Sequence, residues 1–398
     1  MELGREYLER VYAGVLGKII GVYVGRPFEQ WSREAIEARF GDILYYVHEK
    51  QGHRLIVADD DISGTFTFLR ALEDHGFDPD LTSAQIGETW LNYIVENRTI
   101  LWWGGLGQSS EHTAFLRLKD GIPAPESGSI ALNGKIVAEQ IGAQIFIDGW
   151  GLVCPGEPDR AVDLAARAAR VSHDGEAVYG AQMVAAMVSL AFVEPYLGRV
   201  IEQALEFIPA DSTVAAVVRD VAEWRGTLPD WRDAQVRLVE RYGYEKYLGG
   251  CHMVPNHAVV QLGLRYGDGD FSRSMTVVNT AGYDTDCNSG NVGCILGVLG
   301  GLAGLESGPD WRGPVADRMF LPTADGGSCM SDAAAQAVRI ANYARRMRGL
   351  PAEEPAHRFD FSLPGAVQGF MASDDADSRR VVQVEGTGNG LRLRYHGL

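Results

Sequence analysis

The 398-residue chain is short of positive charge, with 36 Lys and Arg against 53 Asp and Glu and a formal net charge of -17. A surface that grips a phosphate backbone needs the opposite balance, so nucleic acid is not an expected partner. Cysteine is scarce as well. Cys154, Cys251, Cys287, Cys294 and Cys329 are odd in number and contain no CxxC pair. That argues against a disulfide framework or zinc ribbon and fits a reducing compartment. No GxGxxG follows a strand, and neither a P-loop nor a GxSxG elbow occurs. Dinucleotide oxidoreductase, NTPase and serine hydrolase readings lose their signatures. The start, MELGREYLERVYAG, is charged and lacks a signal-peptide core. The longest apolar run, near Val292 to Leu305, is broken by glycines and reads as too short to span a bilayer. The expectation is a soluble, cytoplasmic protein with no membrane partner.

Strand-like alternation is scarce before residue 350, and helical periodicity dominates. YLERVYAGVLGKIIGVYVG carries apolar residues at helical spacing, and SAQIGETWLNYIVEN reads as a helix capped by its serine. GEPDRAVDLAARAARVSHDGEAVYGAQMVAAMVSLAF reads as two helices meeting at Ser172–Gly175. Runs near 198–207, 212–227, 256–267, 287–305 and 331–347 have the same character. The fold class is all-α, a compact bundle of ten or more helices over residues 1–350. After Pro351 a Pro-rich link leads into a β-rich tail over 351–398, where TGNG between VVQVE and LRLRY signals a hairpin. The tail either packs as a small sheet on the helical body or is part of an incomplete β-domain.

Two acidic knots stand out. VADDDISG holds Asp59, Asp60 and Asp61, and AGYDTDCNSG holds Asp284 and Asp286; each opens a small-residue helix. One aspartate at a helix N-terminus is ordinary capping. Three in a row exceed that need, because adjacent carboxylates repel unless a cation sits among them. The alternation of Asp284 and Asp286 lets both side chains project the same way from an extended segment. If the two knots meet, five carboxylates with hydroxyls such as Thr285 or Ser63 form an oxygen-rich set. Such a set suits Mg²⁺, Mn²⁺ or Ca²⁺, and has room for two ions.

Four segments, GVLGKIIGVYVGRPFE, ADDDISG, HDGEAVYGAQMVAAM and AGYDTDCNSGNVGCILGVLGG, make residues 8–347 resemble the ADP-ribosylglycohydrolase family. That family includes enzymes that remove ADP-ribose from modified proteins and the dinitrogenase reductase-activating glycohydrolases. The resemblance implies an all-α fold with a binuclear Mg²⁺ centre held by Asp59, Asp60, Asp61, Asp284 and Asp286. Cys287 stands where a threonine ligand is usual, so Thr285 or Ser289 is a candidate substitute. The resemblance also implies a glycosidase cleaving a bond to ribose, with Glu29, Asp60 and Asp286 as catalytic groups. Glu29 would act as base or gate. Cleavage builds oxocarbenium-like charge at C1, and two Mg²⁺ ions would hold the ribose hydroxyls beside an activated water. The sequence departs from the family pattern at Lys18, where Asp is common, and at Asp59 and Ile62, which replace threonines.

The substrate-binding candidates are Trp103, Gly104 and Gly105 of the TrpTrpGlyGly stretch, His173, whose segment resembles one the family places near the ribose, and Tyr283. The Trp102–Trp103 pair is an aromatic wall for a planar group or simply core packing. Glu111 and His112 face the same cleft or lie on a helix surface. Asp148–Gly149 reads as a turn, and a zinc site from Cys251, His252 and His257 is not expected, because MVPN is read as breaking a helix. The substrate is an ADP-ribosyl or related ribosyl conjugate, of protein or small molecule. The alternatives are an N-ribosyl hydrolase for a nucleoside-like metabolite and a catalytically silent ADP-ribose or metal sensor. Oligomeric state is not legible.

Overall fold

Two 21-residue helices, Arg5–Gly25 and Thr285–Leu305, form the centre of the molecule in a computed structural model. The structure describes residues 1–396 apart from Trp102, Glu354, Ala356, Asp374 and Asp375. The two helices run antiparallel and touch backbone to backbone because their facing positions are glycine. A β-carbon at Gly17 would lie 1.9 Å from the carbonyl oxygen of Gly293, and one at Gly293 would lie 2.1 Å from that of Gly17. Any larger residue would push the pair apart. This contact sets Arg26 and Glu29, just beyond the end of the first helix, beside Asp284 and Asp286 at the start of the second.

Helices Glu176–Ala191, Met253–Gly267, Phe271–Thr280 and Ala333–Arg346 pack around the pair. The all-α expectation therefore holds for the body, and the interhelical turn at Ser172–Gly175 lies between Pro158–Ala169 and Glu176–Ala191. Three local readings are corrected. The helix Ser83–Tyr93 is capped by Thr82, whose hydroxyl and Gln85 form a reciprocal capping box, and not by Ser83. Pro255 does not break a helix: it sits in the first turn of Met253–Gly267, where its missing N–H costs nothing, and His252 caps that turn. The apolar run joins TDCNSGN in the helical segment Thr285–Leu305, kinked at Gly301 where φ is +61°, and by length and composition that segment is long enough to cross a membrane. In this fold 67% of that window is buried inside the protein.

Strands are few but well placed. Trp31–Ser32 pairs antiparallel with Gly282–Tyr283, and Gln30 N–H donates to the Tyr283 carbonyl at 2.8 Å. This short clamp lies between Glu29 and Asp284 and fixes their separation. Arg318–Phe320 pairs with Met330–Asp332. In the tail, Val382–Gly386 pairs with Leu391–Tyr395 around the expected turn. The tail lies on the body: Leu363 and Ala366 are buried, and the N–H groups of Val367 and Gln368 donate to Asp317 Oδ2 at 2.6 and 2.8 Å. Tyr12 of the first helix donates to the other oxygen of that carboxylate at 2.6 Å. Gly386 then packs the hairpin against Ala366.

Candidate metal centre

The helix Asp60–Phe68 brings the first acidic knot to the same end of the bundle as the second. Asp59 is its N-cap and accepts the Ile62 N–H at 3.4 Å, so one of the three aspartates does the ordinary capping job. The other two are free of that duty. Asp59, Asp60, Asp61, Asp284, Asp286, Glu29 and Cys287 line one cavity of about 530 Å³, together with Arg26, Trp103, Glu111 and Cys251. Apolar side chains of Ile100, Ile141, Ile145 and Phe146 complete its wall. A larger cavity, about 660 Å³, lies between Ala333–Arg346 and the tail, and it holds none of these acids.

Three sets of ligand atoms lie within 4.8 Å of one another: Asp59, Asp60 and Asp61; Glu29, Asp284 and Asp286; and Asp61, Asp286 and Cys287. Protein supplies little to offset this charge. Arg26 Nε is 3.4 Å from Asp59 Oδ2, and the exposed Trp103 donates its indole N–H to Asp60 Oδ2 at 3.1 Å. Asp61 Oδ2 and Asp284 Oδ1 are buried with no hydrogen-bond partner. Burial and then the neighbouring carboxylates hold Asp61 and Asp286 well above the usual carboxylate range. Burial, followed by Asp59, lifts Asp60 to about 7. Glu29 keeps solvent contact at the mouth, yet protein packing and then Asp284 raise it to about 8. Buried carboxylates that repel and lack partners are the arrangement a bound cation resolves, and the donor set fits a divalent ion.

The sequence profile of the ADP-ribosylglycohydrolase family matches residues 4–347. The chain belongs to the ADP-ribosylglycohydrolase family. A solved structure titled "ADP-ribosylglycohydrolase-related protein complex" is similar in fold, with a TM-score of 0.55 at 18% identity, covering 86% of this chain and 99% of that one. A comparison with curated proteins finds no match. Family membership makes the chain a glycohydrolase of ADP-ribose-type substrates, and the acidic clusters can hold the divalent metal that goes with it.

Within this member of the family the remaining candidates separate. Tyr283 and His173 do not line the cavity. Tyr283 has φ of +69° in the clamp, and its ring stacks on Tyr244 at 4.2 Å. His173 is buried, accepts or donates at Nδ1 with Ser172 Oγ (2.7 Å), and places Nε2 3.7 Å from Glu111 Oε1. Burial pushes it down to about 3, so it backs Glu111 as a neutral ring. Gly104 and Gly105 likewise stay off the wall; both have positive φ, and they turn the chain so that Trp103 reaches Asp60. Trp102 lies outside the described residues.

Other side chains take unexpected places. Thr285 and Ser289 do not line the cavity, and their hydroxyls donate to the carbonyls of Gly25 (2.8 Å) and Gly21 (2.7 Å) in the contact between the central helices. Ser63 is similarly committed, donating to the Asp59 carbonyl at 2.5 Å. Asp148 is no turn residue: it is buried, and Lys18 Nζ donates to its Oδ2 at 2.8 Å while Asn291 donates at 2.9 Å. Glu111 reaches the cavity, while His112 turns to Glu96 at 3.2 Å. Cys251 was missed. Its thiol donates to Asp284 Oδ2 at 2.6 Å, and the loop before Met253–Gly267 carries no signal that would place it there. His252 and His257 turn to Glu139 and Gln144, away from Cys251.

Proposed function

We propose that this chain is a divalent-metal-dependent hydrolase, with Mg²⁺ the expected ion and Mn²⁺ or Ca²⁺ as substitutes, that cleaves the bond between ribose C1 and its aglycone in an ADP-ribosyl or related conjugate. The observation that carries this reading is the meeting of Glu29, Asp59–Asp61, Asp284 and Asp286 in one cavity, inside the span matched by the family. Those six residues would hold the ions. A bound pair of ions supplies Lewis-acid polarisation and an anchor for ribose hydroxyls.

The chain's own residues do the rest. Glu29 is the most exposed member of the cluster, ahead of the half-buried Asp60, so it is the carboxylate best placed to take a proton from an attacking water and pass it out. Glu111 lies across the cavity, and burial lifts it to about 7, which lets it carry a proton near neutral pH toward a leaving aglycone. Phe146, Ile141 and Ile145 supply apolar wall that excludes water, and Trp103 lines the cavity as an exposed ring. A cavity of about 530 Å³ is the size of a small-molecule site, which accommodates a ribosyl group and part of what it is joined to.

The test is turnover of an ADP-ribosylated protein and of a free ribosyl metabolite, each with Mg²⁺ and with EDTA. The reading predicts metal-dependent release of ADP-ribose from the protein or of the free sugar from the metabolite, and loss of release in Asp60→Ala and Asp284→Ala with folding retained. Full turnover by those variants in EDTA would overturn it.

A further inference from the structure

The third set of ligand atoms differs in kind from the other two. Asp61 and Asp286 each belong also to an all-carboxylate set, but here they are joined by the Sγ of Cys287. Cys287 lies in the first turn of Thr285–Leu305, and its thiol is 3.3 Å from Asp61 Oδ1. The hydroxyls of Thr285 and Ser289 on the same turn are spent on the carbonyls of Gly25 and Gly21, so neither reaches Asp61. Asn288 Oδ1 on the same turn is also unpartnered, but Asn288, Thr285 and Ser289 do not line the cavity, so sulfur is the side-chain donor this turn presents there beside its carboxylates. A second observation marks the place as a ligand position: Asp61 is 3% exposed, lines the cavity, and has its Oδ2 without a partner.

Hard ions such as Mg²⁺ take oxygen ligands, whereas a thiolate draws zinc and similar borderline ions. From this geometry we infer that the position between Asp61, Asp286 and Cys287 is a mixed oxygen–sulfur site for a divalent transition-metal ion of the Zn²⁺ or Co²⁺ class. The Glu29, Asp284, Asp286 set remains a site for a hard ion. The inference rests on the metal-dependent reading above. Binding forms a metal–sulfur bond and releases the Cys287 S–H proton to solvent, with no change of oxidation state at sulfur or metal. Cys251 is the built-in control. Its thiol also touches a cluster carboxylate, Asp284, but it joins none of the three sets.

The experiment uses the full chain, stripped with a chelator and titrated with Co²⁺ alone, followed by near-ultraviolet absorption. The wild type and Cys251→Ser should both show sulfur-to-cobalt charge transfer. Cys287→Ser and Cys287→Thr should both lack it while keeping wild-type circular dichroism. Cd²⁺ affinity should fall at least about tenfold in Cys287→Thr, the lower end of what losing even an outer-shell partner costs. Calorimetric Mg²⁺ binding should persist in that variant. Absence of the band in the wild type, its survival in both Cys287 variants, or its loss in Cys251→Ser would overturn the inference. Mg²⁺ binding without any sulfur band sinks the mixed site and leaves the metal-dependent reading standing; binding of no divalent cation sinks both.

Discussion

Two buried acidic places sit along the same pair of central helices, and they are treated in opposite ways. Deep in the bundle, Asp148 is 1% exposed, and it meets Lys18 Nζ at 2.8 Å and the Asn291 amide at 2.9 Å. Toward the helix ends, Asp61 and Asp284 are nearly as buried, at 3% and 2%, and like Asp148 each leaves one carboxylate oxygen without a partner, but what crowds them is other carboxylates and not an ion-paired lysine. The protein neutralises the first charge itself. It leaves the second to something it does not encode. A fold tolerates such uncompensated carboxylates where a ligand completes them, which is why the contrast, more than the number of acids, marks the functional end.

The contrast can be broken from either side. The largest effect is expected from Lys18→Met, which strands Asp148 without its partner and should destabilise the fold by about 3–5 kcal/mol in denaturant unfolding. Next comes Asp284→Ala, which should cut turnover at least about a hundredfold, more than losing an outer-shell partner costs, while the chain stays folded. In metal-free protein its milder relative Asp284→Asn should have the opposite sign to Lys18→Met. By relieving repulsion it should raise stability by about 0.5–2 kcal/mol, while removing most of the stabilisation that added Mg²⁺ gives. If Asp284→Asn instead lowers metal-free stability as Lys18→Met does, the two regions are not different in kind.

Gly17→Ala tests what holds the cluster together. Its β-carbon would lie 1.9 Å from the Gly293 carbonyl oxygen, so the helices must part. A cost of about 1–3 kcal/mol and weaker Mg²⁺ binding are expected together, readable by thermal melts with and without the ion. The smallest effect belongs to Trp103→Phe. Trp103 is 53% exposed, and its bond to Asp60 should contribute about 1 kcal/mol or less, seen as a rise in KM with kcat kept.

How much of this was legible in the sequence depends on the range of the interaction. Helices such as Glu176–Ala191 and Ala333–Arg346 announce themselves through local periodicity. The acidic knots were readable because their repulsion is also local: three adjacent carboxylates already exceed what a cap uses. Long-range partners were not readable. Nothing near Asp148 signals that Lys18, 130 positions away, will reach it. Glu111 could be read as facing the cleft or as lying on a helix surface, since how Ser110–Lys119 packs is not local information, and Cys251, carried in by a loop, could not be placed at all. Tyr283 is drawn toward the site by its place in the AGYDTD stretch, but it pairs with Trp31, stacks on Tyr244 and does not line the cavity. Thr285 and Ser289 have the right chemistry for ligands. The glycine contact between the helices brings backbone carbonyls close enough to claim both hydroxyls. The tail hairpin was legible from its turn residues, and its seat on Asp317 was not.

The most direct measurement is a calorimetric titration of Mg²⁺ into the chelator-stripped chain and into Asp284→Ala, paired with thermal melts. The account predicts saturable binding by the wild type, with a stabilisation of about 2.7 kcal/mol at a hundredfold excess over Kd, and neither in the variant. A wild-type chain that takes up no Mg²⁺ or Mn²⁺ and melts unchanged in their presence would contradict it.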